Sequence, residues 1–344
     1  MPLPSEAELH TMRFSRTHGK LKTHHTIQGS LHRFYRRGKE NDNDYTIAQV
    51  HETIQRLQDE HGINPAKSKI VNFEFGVNIT LPPGQDAQVF QKYLVSAHTK
   101  AFEKLNPKRP AVGYIAEFNE FSIKIYDKGY HAQTGATDQL RVEIKVNRTR
   151  WLDQFGFKKG ADLFLTDLLN QDNIKILGDI LLLKVRSLIL TPREVDMKKL
   201  SPKQRLTFYE CRDARSWEEW TSKQRERKRE QLARIFKKLN QPDPVDVLAR
   251  LVTEKWQELT TTPAQVLEIR KPRQKVSIST LIVGGIRDIL SILKIHESFF
   301  TQALSYLVYQ PRGIPLSNSP PLPTCVGVRR WIDERCNSPP LSKR

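Results

Sequence analysis

Apolar residues along this chain recur at two spacings, and the switches between them outline its elements. Over 46–62, TIAQVHETIQRLQDEHG, Ile47, Val50, Ile54 and Leu57 follow the three-to-four spacing of an amphipathic helix. Thr46 and Gln49 are placed for a capping box and Gly62 for a C-terminal stop. In SKIVNFEFGVNITLP (68–82) the period drops to two. Phe73, Phe75 and Val77 alternate with Asn72, Glu74, Gly76 and Asn78, and Pro82, Pro83 and Gly84 end the run. Helical spacing returns over 86–105 through Phe90, Leu94, Ala97 and Ala101. Three strands then follow at 112–118, 122–128 and 140–147, and from Arg148 the pattern is helical to about residue 240. Before these elements, 23–37 reads as extended and GKENDND as a polar loop ending at Asp44.

This order predicts an α+β fold: a largely antiparallel sheet with helices packed on one face, followed by an all-helical C-terminal region. It divides the chain into a flexible N-terminus (1–20), an α+β domain (21–170), a helical region with a basic helix (171–300) and a Pro/Ser-rich tail (301–344). The most apolar runs, 176–190 and 279–295, are broken by Asp179, Lys184 and Arg186 and by Arg287 and Asp288. They fall short of the roughly 20 apolar residues a bilayer requires and read as buried helices. Cys211, Cys325 and Cys336 are too few and too scattered for a disulfide framework or a structural zinc site. With no export signal at its start, the chain reads as cytoplasmic.

Charge narrows the partners. Lys and Arg number 56 against 38 Asp and Glu, a net +18, which favours a polyanion; no basic amphipathic helix with aromatic anchors stands out, so DNA is favoured over membrane. Residues 221–238 carry eight basic side chains against two acidic ones. As a helix they form either a DNA-backbone contact, through Arg225, Arg227 and Lys228, or an ordinary solvated face.

Chemistry enters through the outward faces of the strands. Glu74, Tyr126 with Lys124 and Lys128, and Glu143 all alternate away from apolar neighbours. If their strands are neighbours, two carboxylates, a phenol and lysines share one surface. Carboxylate oxygens at Glu74 and Glu143 suit Mg²⁺ or Mn²⁺, and a metal beside a scissile phosphate would let the tyrosine oxygen attack it. A phenol has a reference pKa of about 10, and flanking cations favour the phenolate. The plain alternative is that the glutamates are cross-strand partners of lysines or arginines and the tyrosine a half-buried strand aromatic. His24 and His25 are adjacent, so a regular strand points them to opposite faces and they cannot share one metal. His32 reads as structural or as a weak phosphate contact. Arg33, Lys124, Arg141 and Lys145 complete the candidate DNA contacts.

QGSLHRFYRR, the NDNDYT helix start, NFEFGVNITLP, SIKIYDKG and LRVEIKVNRTRWLDQFGFKKGADLF occur in an order that resembles the replication proteins of the filamentous-phage gene II and gene X type, which are rolling-circle initiators. The resemblance spans about residues 25–240. It implies nicking of one strand of a circular origin DNA of a phage or plasmid, single-stranded or supercoiled, in a bacterial host cell. Attachment to the 5′ end is through tyrosine, followed by rejoining, with Mg²⁺ or Mn²⁺ as cofactor and host helicase and polymerase as further partners. Tyr126 and Lys128 fall on the family's YxK-like strand, Glu143 on its R-x-E strand and Glu74 on its earlier acidic strand. Tyr114 competes with Tyr126 as nucleophile. A non-catalytic DNA-binding regulator of replication or copy number is the alternative.

Overall fold

The computed structural model describes residues 6–9, 12–18, 23–108, 113–157, 162–261 and 324–327. Its elements, in chain order, begin with β1 (Glu6–Leu9), β2 (Met12–His18), β3 (Thr23–Gln28), α1 (Leu31–Tyr35), α2 (Ile47–His61) and β4 (Ser68–Thr80). Next come α3 (Ala87–Gln91), β5 (Leu94–Ala97), β6 (Lys100–Ala101), β7 (Glu103–Lys104), β8 (Gly113–Glu117), β9 (Phe121–Asp127), α4 (Lys128–Ala132) and β10 (Gln139–Val146). The last are α5 (Gln171–Arg186), β11 (Leu188–Leu190), α6 (Pro202–Arg212), α7 (Ala214–Glu219), α8 (Ser222–Lys238), α9 (Pro244–Thr260) and β12 (Thr324–Gly327). Short 3₁₀ helices cover Thr149–Phe155 and Leu165–Leu169, where longer α-helix was expected.

The expected α+β architecture is present. Nine strands form one sheet in the order β1-β2-β3-β12-β4-β10-β9-β8-β7, antiparallel throughout except that β12 runs parallel to both its neighbours. α2 begins and ends as its sequence dictates: Thr46 and Gln49 close a capping box, and Gly62 takes the left-handed conformation at φ 67°. No helix among the described residues is long and apolar enough to cross a membrane. The run 279–295 lies outside the described residues.

Four expectations change. Residues 1–20 include two strands, and Met12 and Phe14 are buried on alternate positions of β2. The stretch 23–37 is extended only to Gln28; Ser30 then accepts the Arg33 backbone N–H and starts α1, so His32 lies on a helical turn. The helix expected over 86–105 stops after Gln91, because Leu94–Ala97 pairs with Leu188–Leu190 in a separate three-stranded sheet, β11-β5-β6. Pairing with a distant strand outweighs the local helical spacing.

The fourth change is that residue 170 is not a boundary between cores. Ile174, Leu177 and Leu181 of α5 and Leu248, Val252 and Leu259 of α9 belong to the same core as Phe73, Val77, Ile123, Ile125, Val142 and Ile144 of the sheet. α6–α8 build a smaller core of Phe208, Cys211, Trp217, Leu232, Ile235 and Phe236, with Val95 and Ile189.

Gly76 is required by close packing. A Cβ there would lie 2.1 Å from the Val142 carbonyl oxygen and 2.7 Å from Glu143 Cβ. Gly76→Ala is therefore expected to lower stability by about 1–3 kcal/mol, as overpacking does. A urea midpoint equal to wild type would refute that account.

Candidate functional site

The register of three strands assembles the site. Glu143 on β10 lies opposite Lys124 on β9 and Gly76 on β4; Arg141 lies opposite Tyr126 and Asn78; Lys145 lies opposite Ser122 and Glu74. Residues opposite one another in a sheet share a face, so all nine positions are on one side and the isoleucines and valines on the other.

That polar side is not solvated surface. All of β9 is buried, and Lys124, Tyr126 and Glu143 are each 5% exposed or less. Lys124 Nζ donates to Glu74 Oε1 at 2.6 Å and to Glu143 Oε1 at 3.2 Å. Tyr126 donates its hydroxyl proton to Glu143 Oε2 at 3.2 Å, and Arg141 Nε donates to the same oxygen at 2.5 Å. Arg141 Nη1 also reaches Asn78 Oδ1 at 2.9 Å. Burial pushes the Glu143 carboxyl upward, but Arg141 and Lys124 outweigh it and hold the group well below the usual carboxylate range. Glu74 moves the other way: burial raises it, the neighbouring Glu143 charge adds to that, and Lys124 offsets only part.

The loop between α1 and α2 crosses this network. Lys128, the first residue of α4 rather than a strand position, sends Nζ to Asn41 Oδ1 at 2.7 Å. Asn78 Nδ2 donates to the carbonyls of Asp42 and Asn43 at 3.4 and 3.3 Å, and Arg36 pairs with Asp42. Lys255 of α9 closes the far side through Asp44 Oδ2 at 2.7 Å, with Trp256 edge-on to Phe75. Between loop, sheet, α5 and α9 lies a cleft of about 700 Å³. Tyr126, Glu143, Arg141, Glu74 and Asn78 line it from the polar face of the sheet, and Phe75, Leu177, Trp256 and Leu259 from the apolar side, where α5 and α9 pack.

His32 is buried, stacked on Tyr45 at 4.5 Å and hydrogen-bonded through Nε2 to Asn43 Oδ1 at 2.9 Å. Burial, with the charges of Arg141, Arg36 and Lys128 behind it, lowers its pKa to about 4. The imidazole is therefore neutral near pH 7 and is no cationic phosphate contact. A depressed pKa means the unfolded chain binds the proton first. Stability owed to this group is complete above about pH 6.5, falls as pH drops from there to about 4, and then levels; the change is up to about 3 kcal/mol. His32→Phe keeps the stack and is expected to flatten that part of the stability–pH curve, read from urea midpoints. An unaltered slope would place the titration elsewhere.

The structure thus brings Glu74, Lys124, Tyr126, Lys128, Arg141, Glu143 and Lys145 together. It separates Tyr114, which lies opposite Ile125 and so on the other face of the sheet from Tyr126. Arg33 pairs with Glu40 at 3.2 Å on the cleft rim. On α8, Arg225 donates to the carbonyls of Trp217 and Trp220, and Lys228 pairs with Glu210 over the Trp220 ring. Both serve intramolecular packing, and Arg227 remains exposed. Asn78, Asn41 and Trp256 were missed as site residues. Asn78 shares the alternation that marks Glu74, whereas nothing local marks the other two.

Among the described residues no group of three or more His, Cys, Asp and Glu is placed to hold a metal. Glu74 and Glu143, the expected ligands, do not fit that role as arranged, because the Lys124 ammonium sits between them and Arg141 and Tyr126 occupy the remaining Glu143 oxygen. Compared with models of known families, with curated proteins and with solved structures, the chain matches none.

Proposed function

We propose that the cleft is the phosphoryl-transfer site of a DNA nicking and joining protein that initiates rolling-circle replication of a phage or plasmid. The observation that carries this reading is the convergence of the Tyr126 phenol, the Glu143 carboxylate and the Arg141 guanidinium on one wall of the cleft. The net charge of +18 and the ordered motifs support DNA as the substrate.

In the reaction, Tyr126 Oη forms a bond to phosphorus while the bond from phosphorus to the 3′ oxygen breaks. The phenolic proton ends on the departing 3′ hydroxyl, and the 5′ phosphate stays on the protein. Rejoining is the reverse, and the ester keeps the energy of the phosphodiester. Glu143 orients the phenol through the hydrogen bond it accepts. Its lowered pKa makes it a poor resting place for the proton. Arg141 stabilises charge developing on the phosphate oxygens. The test is a denaturing gel of the protein incubated with single-stranded and supercoiled origin DNA, where a covalent adduct is expected; its absence on every such DNA would overturn the reading.

The alternative, a non-catalytic DNA-binding regulator, is favoured by the depth of Tyr126, only 3% exposed, and by Glu143's full set of partners. A purely structural ion-pair network would have these features. In that case DNA binding without any adduct is expected.

On either reading, charge reversal at exposed Arg227 is expected to weaken binding to all sequences and to reduce the salt slope by about 1, the value for one lost phosphate contact. An unchanged slope would leave α8 as solvated surface. Arg225→Ala is a poor probe of DNA contact, because it frees two backbone carbonyls.

A further inference from the structure

We propose that Lys124 is the resident cation of this site: its ammonium takes the place between Glu74 and Glu143 that a divalent ion would take, and the tyrosine transfer proceeds without a divalent metal. The second half of this statement rests on the function proposed above; the first does not.

Three observations carry it. The first is position: Nζ is 2.6 Å from Glu74 Oε1 and 3.2 Å from Glu143 Oε1, bridging the two carboxylates. Mg²⁺ needs about six oxygens at roughly 2.0–2.1 Å, and no such ion can share that gap with an ammonium. The second is charge. Two carboxylates face two cations, Lys124 and Arg141, with Lys145 opposite Glu74 and Lys128 at the loop. The negative charge that would draw in a divalent ion is already balanced.

The third is anchorage. Lys124 is central on β9, paired on one side with Glu143 and on the other with Ile115. Its side chain is 6% exposed, so the ammonium has no solvated position to retreat to without giving up its bonds to Glu74 Oε1 and Glu143 Oε1. For catalysis, fixed Arg and Lys charges stabilise a transferring phosphoryl group as a metal does, because they are already oriented when the charge develops. Arg141 lines the cleft for this purpose, and Lys124 is a positioning residue that holds Glu143 and so Tyr126.

The test has two arms on the full-length wild-type protein. In a Mn²⁺ titration followed by electron paramagnetic resonance, only the free-ion signal is expected; a stoichiometric bound ion would overturn the proposal. In the adduct assay, EDTA is expected to cause no loss of adduct. An adduct that disappears in EDTA and returns with Mg²⁺ or Mn²⁺ would overturn metal independence while leaving the tyrosine transfer standing. If no adduct forms under any condition, the transfer falls and the metal-independence claim with it, and the Mn²⁺ titration alone decides whether Lys124 is the resident cation. Lys124→Ala, where it folds, is expected to gain a Mn²⁺ site from the freed carboxylates. A folded Lys124→Ala protein with no such site would also count against the proposal.

Discussion

Glu143→Gln is expected to destabilise the protein by about 3–5 kcal/mol, the usual cost of breaking a buried ion pair by removing one partner. The change keeps the shape of the side chain and removes its charge. Arg141 and Lys124 are then left facing Glu74 alone, in a strand layer whose other side is filled by Ile123, Ile125, Val142 and Ile144. The amide also presents an N–H₂ group to donors that need an acceptor. Urea unfolding gives the loss directly. A change under about 1 kcal/mol would mean the network behaves as a solvated surface pair and that water reaches it freely. The double variant Glu143→Gln with Lys124→Met should recover part of the loss if the two charges are directly coupled.

Tyr126→Phe is expected to abolish the covalent DNA adduct while costing only about 1 kcal/mol of stability, the worth of one hydrogen bond. The ring stays packed beside His131 and only the hydroxyl on Glu143 is removed. Tyr114→Phe is the matched control: its hydroxyl lies on the other face of the sheet, and its adduct yield should equal wild type. The reverse outcome, with the adduct kept in Tyr126→Phe and lost in Tyr114→Phe, would move the nucleophile and require the sheet to be approached from its other side.

The three strands that carry the site were legible because alternation is a two-residue signal that needs no knowledge of neighbours. Glu74, Tyr126 and Glu143 each stood opposite an apolar set, and the structure puts them on adjacent strands in register. What could not be read was their burial. Charged residues on alternate positions ordinarily mark the solvated side of a strand, and nothing in SIKIYDKG says that the NDND loop will cover it. The same limit explains Arg225, whose carbonyl partners are Trp217 on α7 and Trp220 just after it, and Lys228, whose carboxylate partner lies on α6. It explains β5 as well, since its partner Leu188–Leu190 is some ninety residues on.

The contact between Asp44 and Lys255 joins residues 211 apart, and it imposes an order in time. A chain emerging from the ribosome as far as residue 240 already contains every member of the ion-pair network, yet the loop over that network has no α9 to lean on. The wall carrying Trp256 and Leu259 arrives last. The cleft is thus finished only after β4, β9 and β10 have had the whole synthesis of α5–α8 in which to pair, so a nascent chain holds its charge network before it holds the wall that completes the cleft.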